Sequence, residues 1–138
     1  MKFTPADKVP LDKDLDGDQC CEEWEYRSIV GILLYLAGST RPDIAYAVHQ
    51  CARFSHLPKA SHEIGVKHIV RYLKGTRDKG LIMKPNALDL KLDFSADADF
   101  AGLFASEDKL DPVNVKSRTG VLLLLYFGGV QVCWSSKL

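Results

Sequence analysis

Leu90-Lys91-Leu92-Asp93-Phe94-Ser95-Ala96-Asp97-Ala98-Asp99 alternates apolar and polar residues without a break. A β-strand turns successive side chains to opposite faces, so this two-residue period predicts a half-buried strand. Upstream the period is helical. From Trp24, residues Tyr26, Ile29, Val30, Leu33, Leu34 and Ala37 recur at three- and four-residue steps, and Gly38-Ser39 supplies a stop; this predicts a mostly buried helix. Ser39 or Thr40 can cap a second helix, with Pro42 in its first turn and Ile44, Ala45, Val48, Ala52 and Ser55 along one side. A third opens near Ser61, with Val66, Ile69, Val70 and Leu73 as its apolar face and Gly75 as a left-handed exit.

Downstream, Gly80–Met83 is a candidate short strand and the charged stretch Ala105–Arg118, with Pro112, reads as a loop. Val121–Phe127 is apolar at every position and needs cover on both faces, and Gly128-Gly129 predicts a tight hairpin turn into Val130–Trp134. Helices followed by strands place the chain in the α+β class: two or three packed helices, then an antiparallel meander of three strands. Residues 1–23 hold Pro5, Pro10, Gly17 and clustered aspartates with no apolar period, and read as an acidic flexible linker. The expected organisation is therefore a linker over 1–23, a helical segment over 24–79 and a β-meander over 80–138. An apolar hairpin with an open edge is a poor way to complete a domain, so the chain is expected to be a piece of something longer.

The chain has 138 residues, 46% hydrophobic and 26% charged, an ordinary globular composition that excludes disordered, collagenous and coiled-coil classes. Its longest uncharged apolar stretch, Ile29–Gly38, is about half of a ~20-residue membrane span, and Met1–Cys20 lacks the apolar centre of a signal peptide. Cys20, Cys21, Cys51 and Cys133 have no scaffold spacing and fit a reducing compartment, so cytoplasm or nucleus is the expected address and no membrane partner is expected. The zero net charge conceals segregation. Residues 1–25 carry −5, residues 26–86 carry +7 and residues 87–138 carry −2. A basic middle between acidic flanks suits a phosphate-contacting surface.

Several residue groups could carry chemistry. Lys67, Arg71 and Lys74 lie at i, i+4 and i+7 on the third helix, with Arg77 and Lys79 beyond it, a stripe that could follow a phosphate backbone. Asp97 and Asp99, two residues apart on a strand, would project from one face, and paired carboxylates are what Mg²⁺ needs against a phosphodiester. Two carboxylates are fewer than such a site requires. Asp12-x-Asp14-x-Asp16-Gly17 with Glu23 in the twelfth place matches the spacing of a calcium loop, so a calcium-binding module is an alternative, although Pro5 and Pro10 argue against an entering helix. A protein-interaction remnant, docking through Val121–Phe127, is another. His49, His56, His62 and His68 have gaps of seven, six and six that match no zinc pattern and read as helix-surface or core histidines. No nucleophile motif or glycine-rich phosphate cradle occurs.

Tyr26-Arg-Ser-Ile-Val-Gly-Ile-Leu-Leu-Tyr-Leu, Thr40-Arg-Pro-Asp-Ile-Ala-Tyr-Ala-Val, Arg71-Tyr-Leu-Lys-Gly-Thr, Asp97-Ala-Asp-Phe-Ala-Gly, Lys116-Ser-Arg-Thr-Gly and Trp134-Ser-Ser-Lys follow one another in order. Over about Trp24–Leu138 these blocks resemble the Pol polyprotein of copia-type LTR retrotransposons. The resemblance implies a thumb-like or connecting part of a reverse transcriptase over the helices. It further implies an incomplete ribonuclease H-like fold, its first three antiparallel strands, over the rest. It makes Asp97 the first metal-binding aspartate of ribonuclease H and Asp99 a motif position. Mg²⁺ is then the parent family's cofactor, and an RNA/DNA hybrid and the remainder of the polyprotein are the partners. It also gives Lys67, Arg71 and Lys74 a nucleic-acid backbone to track. The polymerase Asp-Asp motif and the remaining ribonuclease H carboxylates have no counterpart in these 138 residues, while Val121 and Phe100 replace a frequent Tyr and Trp. The expectation is a catalytically inactive fragment that holds no Mg²⁺ tightly and retains weak, non-specific nucleic-acid binding.

Overall fold

Helices α1 (Tyr26–Ser39), α2 (Ala45–Ala52) and α3 (Ala60–Gly75) are followed by strands β1 (Lys91–Asp99), β2 (Arg118–Tyr126) and β3 (Val130–Lys137). The computed structural model describes residues 3–6, 11–20, 24–80, 91–99, 118–126 and 130–137. The chain divides into two units, Met1–Leu81 and Ile82–Leu138. Helices and an antiparallel sheet in one chain make it α+β.

In the first unit the helical period works as expected. Tyr26, Val30, Leu33 and Ala37 bring one face of α1 against Ile44, Ala47, Val48 and Cys51, and α3 adds Val66 and Ile69 to the same core. Ile44 and Val48 are completely enclosed, burial worth about 1.5–3 kcal/mol for each such side chain. Tyr26 carries its hydroxyl inside by donating it to the Cys51 carbonyl at 2.9 Å, and burial pushes its pKa well above the usual phenol range.

The second helix departs from its expected shape. Pro42–Ile44 form a short 3₁₀ turn, capped by Arg41 without a side-chain hydrogen bond, and α2 stops at Ala52 rather than running to Ser55. Neither Ser39 nor Thr40 caps it: Ser39 ends α1 and Thr40 is that helix's C-cap. The C-terminus of α2 is held instead from α1, where Arg27 donates Nε to the Ser55 carbonyl at 2.8 Å and Nη2 to the His56 carbonyl at 3.4 Å. At the end of α3, Gly75 is still helical and Thr76 takes the C-cap.

Residues 11–20, read as flexible linker, are seated on α3. The Ala60 amide donates to the Asp18 carbonyl at 2.9 Å and the Cys20 amide to the Pro58 carbonyl at 3.2 Å. Lys59 Nζ donates to the Gly17 carbonyl at 2.9 Å and Ser61 Oγ to Asp14 Oδ2. The physical reason is the helix N-terminus: its unpaired amides and partial positive charge favour an acidic, carbonyl-rich partner. Asp14 adopts a left-handed φ of 49°, and a Cβ at Gly17 would displace its carboxylate, the group that accepts from Ser61.

The second unit is a three-stranded antiparallel sheet in the order β1-β2-β3. Its β1 register pairs Lys91 with Tyr126 and Asp99 with Arg118. In the β2–β3 ladder, pairing shifts from Leu123↔Cys133 to Leu124↔Gln131, a bulge that leaves Val132 extra. The strands extend beyond their expected limits, β2 beginning at Arg118 and β3 ending at Lys137. The Gly128-Gly129 turn, the candidate strand after Gly80 and the loop before Arg118 lie outside the described residues.

Candidate nucleic-acid interface

A helix places residues three and four apart on one side, and α3 accordingly aligns Lys67, Arg71 and Lys74. All three are exposed, as are Arg77 and Lys79 after the helix. They are not equivalent. Lys67 Nζ is ion-paired with Glu63 Oε1, one turn earlier. Glu63 is itself buried and accepts from Trp24 Nε1 at 3.2 Å and from the Cys20 thiol at 3.7 Å. Lys67 therefore compensates a buried carboxylate and has less to offer a phosphate than Arg71 and Lys74. The i, i+4 spacing of Glu63 and Lys67 was a legible signal of this; the burial of Glu63 was not.

The end of α3 is fixed by a second network. Arg41 grips Asp43 with both edges of its fork, Nε to Oδ1 at 2.9 Å and Nη2 to Oδ2 at 2.8 Å. It also donates Nη2 to Thr76 Oγ1 at 2.8 Å and Nη1 to the Thr76 carbonyl at 3.3 Å. Tyr72 OH donates to Asp43 Oδ2 at 2.8 Å and its ring lies 5.6 Å from the guanidinium. The hydrogen bonds from Arg41, joined by that from Tyr72, hold the Asp43 carboxyl below its ordinary range, and the bond to Asp43 raises the Tyr72 phenol. Two sequence blocks, Thr40-Arg-Pro-Asp and Arg71-Tyr-Leu-Lys-Gly-Thr, are thereby tied together through Arg41 and Thr76, 35 residues apart. Sequence reading took the first as a helix start and as a block of the resemblance, without a link to the second.

Asp97 and Asp99 lie on β1, opposite Gly120 and Arg118 of β2. Among the described residues no group of three or more His, Cys, Asp or Glu side chains converges to hold a metal ion. Two acids of the calcium-loop spacing accept hydrogen bonds. Asp14 takes the Ser61 hydroxyl, and Asp12 Oδ1 takes the Lys13 amide at 2.7 Å; Glu23 lies outside the described residues. His62 and His68 are buried and His56 is exposed. Also among the described residues, no helix is long and apolar enough to cross a membrane.

No family model matches the chain, and no solved structure does. Curated proteins do match. The chain is 39% identical over 135 residues to the retrovirus-related Pol polyprotein from transposon RE1 of Arabidopsis thaliana, covering 98% of this chain and 8% of that protein. It is 42% identical over 113 residues to the corresponding polyprotein from transposon TNT 1-94 of Nicotiana tabacum, 82% of this chain and again 8% of the relative. A shorter relative, named secreted RxLR effector protein 161 of Plasmopara viticola, is 37% identical over 112 residues, 81% of this chain and 71% of that protein. The chain thus spans about 8% of the length of the two polyproteins. With ordered sequence blocks, an α+β fold and identity along nearly its whole length, the chain belongs to the retrovirus-related Pol polyproteins of copia-type transposons.

Proposed function

We propose that this chain is the part of such a polyprotein that carries the thumb-like end of a reverse transcriptase into the opening strands of ribonuclease H. In this reading its own residues supply nucleic-acid contact rather than catalysis. The observation that supports the contact is the exposed line of Arg71, Lys74, Arg77 and Lys79 along and beyond α3, within a segment whose sequence carries +7. Cations without base-reading groups bind phosphate irrespective of sequence, and they do so by releasing counterions. Asp97 would mark descent from a nuclease site. A Mg²⁺ centre able to act on a phosphodiester needs oxygen ligands from several residues, and two aspartates on one strand do not fit that requirement.

The test is titration of the chain against a labelled RNA/DNA hybrid over a range of salt. About three phosphate contacts give a slope of roughly −2 to −3 in log K against log salt. Arg71→Glu with Lys74→Glu should abolish the binding, and hybrid incubated with the chain and Mg²⁺ should stay intact. Binding that is absent or indifferent to salt would refute the contact. Metal-dependent cleavage that disappears in Asp97→Asn would refute the non-catalytic reading.

A further inference from the structure

The network that anchors the end of α3 also lines a cleft of about 210 Å³. Arg41, Asp43 and Tyr72 belong to both, Thr40 and Pro42 join them from the link between α1 and α2, and Lys79 and Gly80 from the chain leaving α3. The volume is below the roughly 300–1,000 Å³ of a pocket for a drug-sized ligand, so the occupant is small, one ring with its substituents. The lining narrows its chemistry. Asp43 brings a carboxylate, its side chain 39% exposed, and a carboxylate repels a bare anion placed beside it. A neutral ring carrying donors and acceptors meets no such penalty. The Pro42 and Tyr72 rings offer it apolar surface, and the exposed Thr40 can both donate and accept.

Tyr72 is held in place before any ligand arrives. Its hydroxyl donates to Asp43 Oδ2 at 2.8 Å and the Arg41 guanidinium lies 5.6 Å from its ring centroid, so the ring loses little freedom when something stacks on it. Lys79 is exposed and makes no ion pair among the described residues. It lines the cleft and also continues the line of cations that starts at Arg71. A phosphate backbone that follows those cations therefore brings a nucleotide to the cleft. A paired base cannot enter a space of this size, because its partner and stacked neighbours come with it; an unpaired base can. We propose that the cleft takes the base of one unpaired nucleotide, stacked on Tyr72 with its phosphate on Lys79. This rests on the nucleic-acid contact proposed above and adds to it a preference for single-stranded ends.

The full chain, titrated against RNA/DNA hybrids that end in a short 5′ or 3′ overhang, tests this when each overhang is made once with bases and once from abasic sugars. The paired probes carry the same phosphates, so the electrostatic contribution cancels and the difference reads the bases. The bases should strengthen binding at least about fivefold, the lower end of what one base on an aromatic ring contributes. Tyr72→Leu should erase that difference and Tyr72→Phe should keep it. Both forfeit the bond to Asp43, so a merely structural role for Tyr72 would move them together. Gly80→Leu, at a position where a Cβ meets nothing within 4 Å, should erase the difference by filling the cleft, and it decides the matter should Tyr72→Leu lose its helical circular dichroism. Equal affinities with and without bases, beside intact salt-dependent binding, overturn the cleft and leave the contact standing. No binding to either probe overturns both. A base preference that survives Gly80→Leu or a folded Tyr72→Leu, or that Tyr72→Phe loses as fully as Tyr72→Leu, overturns the cleft as well.

Discussion

Replacing Arg41 with lysine keeps the charge and removes the fork. The guanidinium makes two bonds to Asp43 and two to Thr76, whereas an ammonium is a point charge that cannot face both partners in one plane. A net hydrogen bond contributes about 0.5–1.5 kcal/mol, but the two pairs differ in what water can restore. The Asp43 side chain is 39% exposed, so solvent and the new ammonium together replace most of what is lost there. Thr76 is buried. Its hydroxyl still donates to the Tyr72 carbonyl at 2.9 Å, yet its acceptor capacity goes unused once the guanidinium is gone. Counting the Thr76 bonds nearly in full and the Asp43 bonds at a fraction gives about 1.5–2.5 kcal/mol. For a helical unit of this size that lowers Tm by on the order of 10 °C.

Thermal unfolding followed by helical circular dichroism measures the loss, and Thr76→Val identifies its source. If the coupling runs through Thr76, Arg41→Lys in the Thr76→Val background should cost at least about 1 kcal/mol less than in the wild type. A Tm change under about 2 °C for Arg41→Lys, or equal losses in both backgrounds, would show that the fork does not tie the start of α2 to the end of α3.

Tyr26→Phe removes one buried bond, but the Cys51 carbonyl keeps the Phe54 amide at 3.1 Å; the cost should stay near 0.5–1.5 kcal/mol in denaturant unfolding, and a value above about 3 would mean the hydroxyl has a further role. Lys67→Glu should destabilise the helical unit, because it sets a second carboxylate beside buried Glu63, while Arg71→Glu with Lys74→Glu leaves Tm within a few degrees; equal Tm losses in the two variants would refute the division of labour along α3. Asp43 is depressed in the folded chain, chiefly by its hydrogen bonds from Arg41. Its contribution is therefore fully present above the ordinary value of 3.8 and is lost as pH falls through the lower folded value. Asp43→Asn should flatten that acid limb of the stability profile, and an unchanged limb would assign it to other carboxylates.

What could be read in advance was whatever depends on period. Apolar steps of three and four placed α1 and α3 within a residue or two, and the alternation over Leu90–Asp99 placed β1. Partners distant in sequence leave no such trace. Nothing local distinguishes Asp12, Asp14 and Asp18 as acids of a seated segment from the same acids in a solvated linker; the difference is the N-terminus of α3, some 45 residues away, which supplies the Ala60 amide and the Ser61 hydroxyl. The histidines repeat the point. Their spacing matches no zinc pattern, and only the fold shows that His62 and His68 address the carbonyls of Asp12 and Thr4.

The same reasoning distinguishes the cations of α3, which charge and spacing alone leave equivalent. By spacing, Lys67, Arg71 and Lys74 are one stripe, and each would count equally toward a salt-dependent affinity. Burial breaks the equivalence. A carboxylate in Glu63's position must be compensated or its desolvation is unrecovered, and Trp24, the Cys20 thiol and Lys67 are among the groups that do so. Any phosphate that drew Lys67 away would have to supply that stabilisation itself, so the first third of the stripe is committed to the fold. In the contact proposed above, the exposed cations begin one turn later, at Arg71, and run through Lys74 toward Lys79 and toward Arg77, which is paired with Asp78 at 3.4 Å, at the helix end held by Arg41 and Thr76. Substitutions that loosen that end without changing any charge, Thr76→Val first among them, should therefore weaken hybrid binding while preserving its dependence on salt. Unaltered affinity in a Thr76→Val chain of lowered Tm would show that the line of cations acts without regard to how α3 is anchored.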